Sequence, residues 1–201
     1  MSGISDDEIQ SVVQRVLRQV MGPPAPAPAS APSEPAPSSA PPSTPPAPST
    51  PRRVVAIGAD HGGFELKEIL KADLTASGFE VQDVGTNSKD AVDYPDYAHE
   101  VARLVSANKA WRGIIIDGAG IGSCIVANKV PGVRAGLAYD YATAVNGRQH
   151  NDTNVLTLGA GLIGVTLAKQ IIGIWLATAF GGGRHARRVD KITAIEKLYL
   201  K

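Results

Sequence analysis

The sequence predicts an α/β fold: a five-stranded parallel sheet covered by helices on both faces. Two observations carry that expectation. From Arg53 onward, short β-branched runs recur at VVAIG (54-58), FEVQDVG (79-85), GIIID (113-117), VRAGLA (133-138) and NVLTLG (154-159). Between them lie stretches of helical periodicity, and strands that alternate with helices form parallel sheets buried on both faces.

Composition divides the chain into three. Residues 1-22 hold a helical pattern, with Ile9, Val12, Val13, Val16, Leu17 and Val20 at i, i+3, i+4, i+7, i+8 and i+11, one apolar stripe. Ser5-Asp6-Asp7-Glu8 has capping-box spacing, and Gly22-Pro23 supplies a stop. Such a short helix is marginal alone in water, so its stripe calls for a partner. Residues 23-52 are almost wholly Pro, Ala, Ser and Thr and contain 13 of the 15 prolines. They bury too little apolar surface to offset the entropy of ordering and read as a disordered linker. Fully extended as polyproline II, that linker spans about 90 Å at ~3.1 Å per residue.

Residues 53-201 are long enough for one packed domain. Helices are expected near 64-77, 96-108, 121-129, 140-149, 163-178 and 186-199. Right-handed crossovers between the strands then make the sheet doubly wound and Rossmann-like.

Charge excludes some classes of partner. The whole chain has a formal net charge of +1, and residues 53-201 carry 17 Lys and Arg against 15 Asp and Glu. No strong field draws nucleic acid or an anionic membrane. The single cysteine, Cys124, precludes an intramolecular disulfide and fits a reducing cytoplasm. No run of 18 apolar residues and no signal-peptide pattern is present, so the expected protein is soluble and cytoplasmic.

Open α/β sheets bind ligands at the carboxyl ends of their strands. Four polar segments are expected there: Ala59-Asp60-His61-Gly62-Gly63, Asp117 to Ser123, Arg148-Gln149-His150-Asn151-Asp152, and Gly181 to Arg188. The glycines Gly118, Gly120 and Gly122 let backbone N–H groups approach negative charge, which makes an anion cradle. The same loop also fits a tight packing turn. Asp140, about 20 residues past Gly120, even suggests a dinucleotide site, although G-x-G-x-G after the third strand departs from that fingerprint. Arg184 and Arg188 are four apart and share a face if helical, as a phosphate clamp requires, or as a solvated charged face also allows. No His, Cys and Asp set has metal-ligand spacing, so no metal site is expected.

Five segments in order, GADHGGFELKEIL, DYPDYA (93-98), GAGIGSCIVANKVPGVRAG (118-136), RQHNDTNVLTLG (148-159) and GGRHARRVDKI (182-192), resemble the type B ribose-5-phosphate isomerases and the galactose-6-phosphate isomerase subunits. The resemblance covers essentially all of 53-201. It implies isomerisation of an aldose phosphate to a ketose phosphate through an enediolate, without cofactor, at a site shared across a homodimer interface, or a tetramer of such dimers. It also implies roles for individual residues. His61, Arg184 and Arg188 match phosphate-binding positions, and Asp60 and Asn151 match positions that hold sugar hydroxyls. His150 matches the residue that helps open the ring, and the Gly118, Gly120 and Gly122 backbone matches the loop that stabilises the enediolate.

The pattern breaks at the base. Members of that family usually place a cysteine at the end of the third strand, followed by Gly-Thr-Gly, where this chain has Asp117 and Ala119. Another branch uses a glutamate at the position of Ser123. A carboxylate can take a proton from a sugar carbon, so Asp117 is the candidate base and Cys124 is expected to pack. Two alternatives stay open: a partner-dependent or non-catalytic sugar-phosphate-binding subunit, and an isomerase of hexose 6-phosphates. The N-terminal helix and its linker resemble the encapsulation peptides of bacterial microcompartment cargo, which implies a shell-protein partner for residues 5-21.

Overall fold

The computed structural model describes residues 53-199. The expected helix at 5-21 and the linker at 23-52 lie outside the described residues. Five strands, β1 (Val54–Ala59), β2 (Glu80–Asp83), β3 (Arg112–Asp117), β4 (Ala135–Leu137) and β5 (Val155–Gly159), alternate with helices. The helices are α1 (Phe64–Ala76), α2 (Tyr94–Ser106), α3 (Ile121–Ala127), α4 (Tyr141–Asn151), α5 (Val165–Ala177) and α6 (Arg184–Tyr199). All strand pairs are parallel, in the order β2-β1-β3-β5-β4.

Alternation along each strand divides the interior into two cores. Val55, Ile57, Ile114, Ile116, Leu156 and Leu158 point to the face covered by α1 and α5, against Leu66, Leu70, Ile171 and Trp175. Ala56, Ile115 and Val155 point to the other face, against Ala98, Val101, Ala102 and Val105 of α2 and Ala127 of α3. Near-continuous apolar strands are what a sheet buried on both sides demands.

Element ends differ from expectation by a few residues, and at β4 and α2 the local reason is visible. β4 covers only three of the six residues in VRAGLA. The Asn154 side chain takes the Arg134 N–H at 2.7 Å, and Asn128 brackets Ala135, accepting from its N–H at 2.9 Å and donating to its carbonyl at 3.0 Å. An amide side chain thereby covers part of the open edge of the sheet, which would otherwise offer unpaired backbone groups. α2 starts at Tyr94, two residues early, because Asp93 is the N-cap and Pro95 sits where its missing N–H costs nothing.

Lys67 of α1 is fully buried, and its Nζ reaches Asp83 at 2.5 Å and Glu68 at 2.7 Å, which ties α1 to β2. No helix among the described residues is long and apolar enough to cross a membrane.

Candidate active site

β1 has β2 on one side and β3 on the other, so the chain reverses its direction of travel across the sheet at β1. Sheets with such a reversal hold ligands in the crevice at the carboxyl ends of the strands that flank it, here β1 and β3. The turn after β1 lies directly on the end of β3. A Cβ at Gly63 would run into the Ile116 carbonyl, and one at Gly62 would lie 3.5 Å from the Gly118 nitrogen. At Gly63 only glycine permits that approach.

Asp60 and Asp117 meet in this crevice, 8% and 5% exposed. Asp60 Oδ1 accepts from the Gly63 N–H at 3.0 Å and holds the turn into α1. His61 is exposed, with Nδ1 at 3.1 Å from the Val92 carbonyl and 3.2 Å from the Val92 nitrogen. That contact anchors the loop before α2 beside the crevice.

Asp117 is held from four directions. Oδ1 accepts from the Ala119 N–H at 2.8 Å and from the Gly120 N–H, while Oδ2 accepts from the Ser123 N–H at 3.1 Å and the Ser123 hydroxyl at 2.5 Å. The Gly120 N–H, which the sequence reading offers to an incoming anion, is therefore already engaged by the carboxylate three residues upstream. Gly120 has a left-handed φ of 78°, and a Cβ there would lie 2.5 Å from Leu137. Above Gly118 nothing stands within 4 Å of a built Cβ, so the crevice is open on that side.

Tyr94 is a component that the sequence reading did not single out. A Cβ at Gly122 would lie 2.5 to 2.7 Å from Cζ, Cε2 and Oη of Tyr94, so the phenol lies across Gly122 at the crevice wall. Its signal was the DYPDYA motif, read for resemblance and not for the position of its first tyrosine. Cys124 faces the sheet, with Sγ 3.6 Å from the Ala135 carbonyl. Burial pushes its thiol pKa up, as a packing residue requires and a thiolate nucleophile does not.

The other predicted residues are elsewhere, which corrects the expectation that all four polar segments gather at the carboxyl edge. His150 and Asn151 end α4, and Arg184 and Arg188 lie one turn apart at the start of α6. These belong to the amino edge. The Asn154 carbonyl accepts from Gly113 at the start of β3 at 3.0 Å, and Arg112 donates to the Trp175 and Leu176 carbonyls at the end of α5. The segment before α6 is tied to the same place, since Gly181 N–H donates to Gln149 O at 2.9 Å. The physical reason is that each helix returns antiparallel to its strand, so helix ends fall at the opposite edge from strand ends. Six residues of β3 separate the two edges by about 17 Å at ~3.3 Å per residue.

At that amino edge His150 stacks on His185, ring centroids 4.1 Å apart and 5° from parallel. Burial first, and electrostatic repulsion from its neighbours after it, the Arg184 and Arg188 guanidinium groups among them, pull His185 below its ordinary pKa. Two ion pairs from Asp152, to Arg148 at 2.7 Å and Arg134 at 2.8 Å, hold the end of α4. Arg148 is thus structural. One chain therefore carries an acidic group, Asp60 with Asp117, and a basic cluster on opposite edges of one sheet.

The model of the ribose/galactose isomerase family matches residues 55–192. The chain belongs to the ribose/galactose isomerase family. Within that family it is 47% identical over 143 residues to the ribose-5-phosphate isomerase B of Escherichia coli, covering 71% of this chain and 96% of that one. It is 42% identical over 139 residues to a D-erythrulose-4-phosphate isomerase of Pectobacterium atrosepticum, covering 69% and 91%. The solved ribose-5-phosphate isomerase B of Clostridium thermocellum superposes with a TM-score of 0.72 at 46% identity, covering 73% of this chain and 99% of that one. The protein is a sugar-phosphate isomerase of the aldose–ketose class, and the resemblance read from its motifs is borne out at the level of family and fold.

Proposed function

We propose that the domain interconverts ribose 5-phosphate and ribulose 5-phosphate, with Asp117 as the base, in a homodimer that joins the crevice of one copy to the basic cluster of the other. The observation that carries this reading is the Asp117 carboxylate at the tip of β3, beside Asp60 and the open space over Gly118. Names of relatives support a phosphorylated sugar, one a pentose and one a tetrose. Pentose is preferred because the relative at 47% identity is the ribose 5-phosphate enzyme.

The chemistry needs a base and donors for the developing negative charge. The aldose C2–H bond breaks, its proton passes to Asp117, its electron pair becomes the C1=C2 bond, and the carbonyl π pair moves to O1. Asp117 then returns the proton to C1 while the O2 proton moves to O1, which leaves the ketose and the original carboxylate. Asp60 is placed to hold a sugar hydroxyl. His61, Arg184 and Arg188 would grip the phosphate, and His150 with Asn151 would act on the sugar ring and its hydroxyls, the amino-edge residues coming from the second copy.

Two features support the pairing of copies. The phosphate-directed arginines and the crevice sit at opposite edges, so a single chain leaves each half without its complement. Apolar side chains also flank both halves. Ile121 and Ile125 on α3 are 52% and 57% exposed beside the crevice loop, and Ile192 and Ile195 line a groove of about 750 Å³ between β4, α4 and α6 that also contains Asn151. Exposed apolar groups of that size are commonly covered by a partner. For residues 5-21, the apolar stripe and capping box support binding to a microcompartment shell protein, with the enzyme as cargo.

A coupled assay on ribose 5-phosphate, erythrose 4-phosphate and hexose 6-phosphates tests the substrate, and Asp117→Asn tests the base. Turnover with ribose 5-phosphate that vanishes in Asp117→Asn is expected. Retained turnover in Asp117→Asn, or turnover only with another sugar phosphate, refutes the respective half. Mixing inactive Asp117→Asn with inactive Arg184→Ala should restore a fraction of activity if sites are shared between copies. Deleting residues 1-22 should leave turnover intact and abolish co-purification with shell proteins; equal packaging of the truncated form refutes the targeting role.

A further inference from the structure

Asp117 presents a difficulty as a base. A carboxylate has about four lone-pair sites, and here four donors occupy them. One bond must yield before the group can take a proton from carbon. Three of the donors, the N–H groups of Ala119, Gly120 and Ser123, are main-chain atoms fixed by the left-handed turn at Gly120 and the first turn of α3. They cannot leave without unwinding the loop. The fourth donor is the Ser123 hydroxyl, which turns about its own Cβ–Oγ bond with no movement of heavy atoms and both donates and accepts.

We propose that Ser123 is the positioning residue for Asp117: its hydroxyl holds the carboxylate in register at rest and releases it during proton transfer. This rests on the reading of Asp117 as base. Ser123 is fully buried, so it acts through Asp117 and not on substrate. With the hydroxyl turned away, Oδ2 keeps one bond, from the Ser123 N–H, and becomes the more basic oxygen, which takes the proton of C2–H while the main-chain bonds keep the carboxylate plane in place. The hydroxyl proton then has the carbonyls three and four residues back, Gly120 and Ala119, as the acceptors a helical serine commonly uses. Once Asp117 carries the substrate proton, its O–H donates to Ser123 Oγ, and the exchange reverses when the proton returns to C1. No atom is gained or lost in the cycle.

The position also explains a pairing that composition alone leaves mute. Aspartate at 117 without a hydroxyl at 123 would keep the Ala119 and Gly120 N–H groups on Oδ1, but Oδ2 would be held by a single N–H 3.1 Å away and less firmly set. A misplaced reacting group can cost about a hundredfold in rate for a displacement near 1 Å.

The full-length protein, Ser123→Ala, Ser123→Cys and Asp117→Asn are compared on ribose 5-phosphate and on its C2-deuterated form. Ser123→Ala should lower kcat by about tenfold to a hundredfold with KM within about twofold, and should raise the deuterium isotope effect on kcat because proton transfer becomes rate-limiting. Ser123→Cys, with a weak donor of similar shape, should recover part of kcat. A structural role alone would shift thermal stability and KM and leave the isotope effect as in the wild type, and that result overturns the inference. If Ser123→Ala does not fold, the isotope effect in Ser123→Cys decides: raised with reduced kcat supports the role, unchanged overturns it. Turnover in Asp117→Asn sinks the base and this inference together. An inactive Asp117→Asn beside a Ser123→Ala indistinguishable from wild type sinks the Ser123 role alone.

Discussion

Replacing Arg112 by Met should remove about 2–4 kcal/mol of stability while leaving Asp117 and the arginines of α6 in place. Arg112 is the first residue of β3, 5% exposed, and its guanidinium lies 4.1 Å from the Trp111 ring centroid and 4.9 Å from that of Trp175. Nη1 donates to the Trp175 carbonyl at 2.7 Å and the Leu176 carbonyl at 3.0 Å, and Nη2 donates to Thr178 O at 3.4 Å. These are carbonyls that a helix end leaves without an internal partner. Methionine fills similar volume but offers no donor, so two buried carbonyls lose their partner at about 1–3 kcal/mol each. Relief from burying a charge offsets part of that, which gives the net figure of about 2–4 kcal/mol. For a domain of this size the melting temperature should fall by roughly 5–15 °C at 2–4 °C per kcal/mol. Thermal melts by circular dichroism, with urea titrations to check that the m-value is unchanged, measure it. A melting temperature within 1–2 °C of wild type would show that the α5 carbonyls find other partners and that the helix end is not held by this side chain.

Asp83 makes stability depend on acid. Burial raises its pKa, but hydrogen bonds from Lys67 and Lys71, with a third from the Gly85 N–H, outweigh that and leave it below the ordinary value. A depressed folded pKa stabilises the fold above the unfolded value, about pH 4, and the contribution is lost as pH falls through the folded pKa. Asp83→Asn should therefore cost about 2 kcal/mol at pH 7 and flatten the fall in stability below pH 4; a parallel, undiminished acid limb in urea titrations would contradict the ion pair's role. Gly122→Ala drives a methyl into Tyr94, so it should reduce kcat/KM by about tenfold or more while changing stability by about 1–2 kcal/mol. Unaltered kinetics would place Tyr94 outside the working crevice.

Local pattern carried most of the fold. The five strand runs and six helical stretches were legible because a buried parallel strand needs a continuous apolar run and its helices need one apolar face, and both conditions are written residue by residue. Asp60, His61 and Asp117 were legible as crevice residues because the turn after a parallel strand is where such sheets open. Cys124 was legible as packing because it lies one step round the helix from the loop. Hidden from the sequence were relations between distant residues. The short β4 depends on the side chains of Asn128 and Asn154, and the wall of the crevice depends on Tyr94 lying across Gly122, 28 positions away.

The amino-acid order by itself determined the element types, their sequence, the family motifs and the chemistry available to each loop, since these rest on contacts within a few residues. Only the tertiary structure decided that His150, Asn151, Arg184 and Arg188 face away from Asp117. Helices run back against their strands, so residues that look equivalent as loop ends fall at opposite edges of the sheet. It also decided that all four acceptor sites of Asp117 are occupied, because a hydrogen bond is settled by where donors arrive in space and not by which residue types stand nearby.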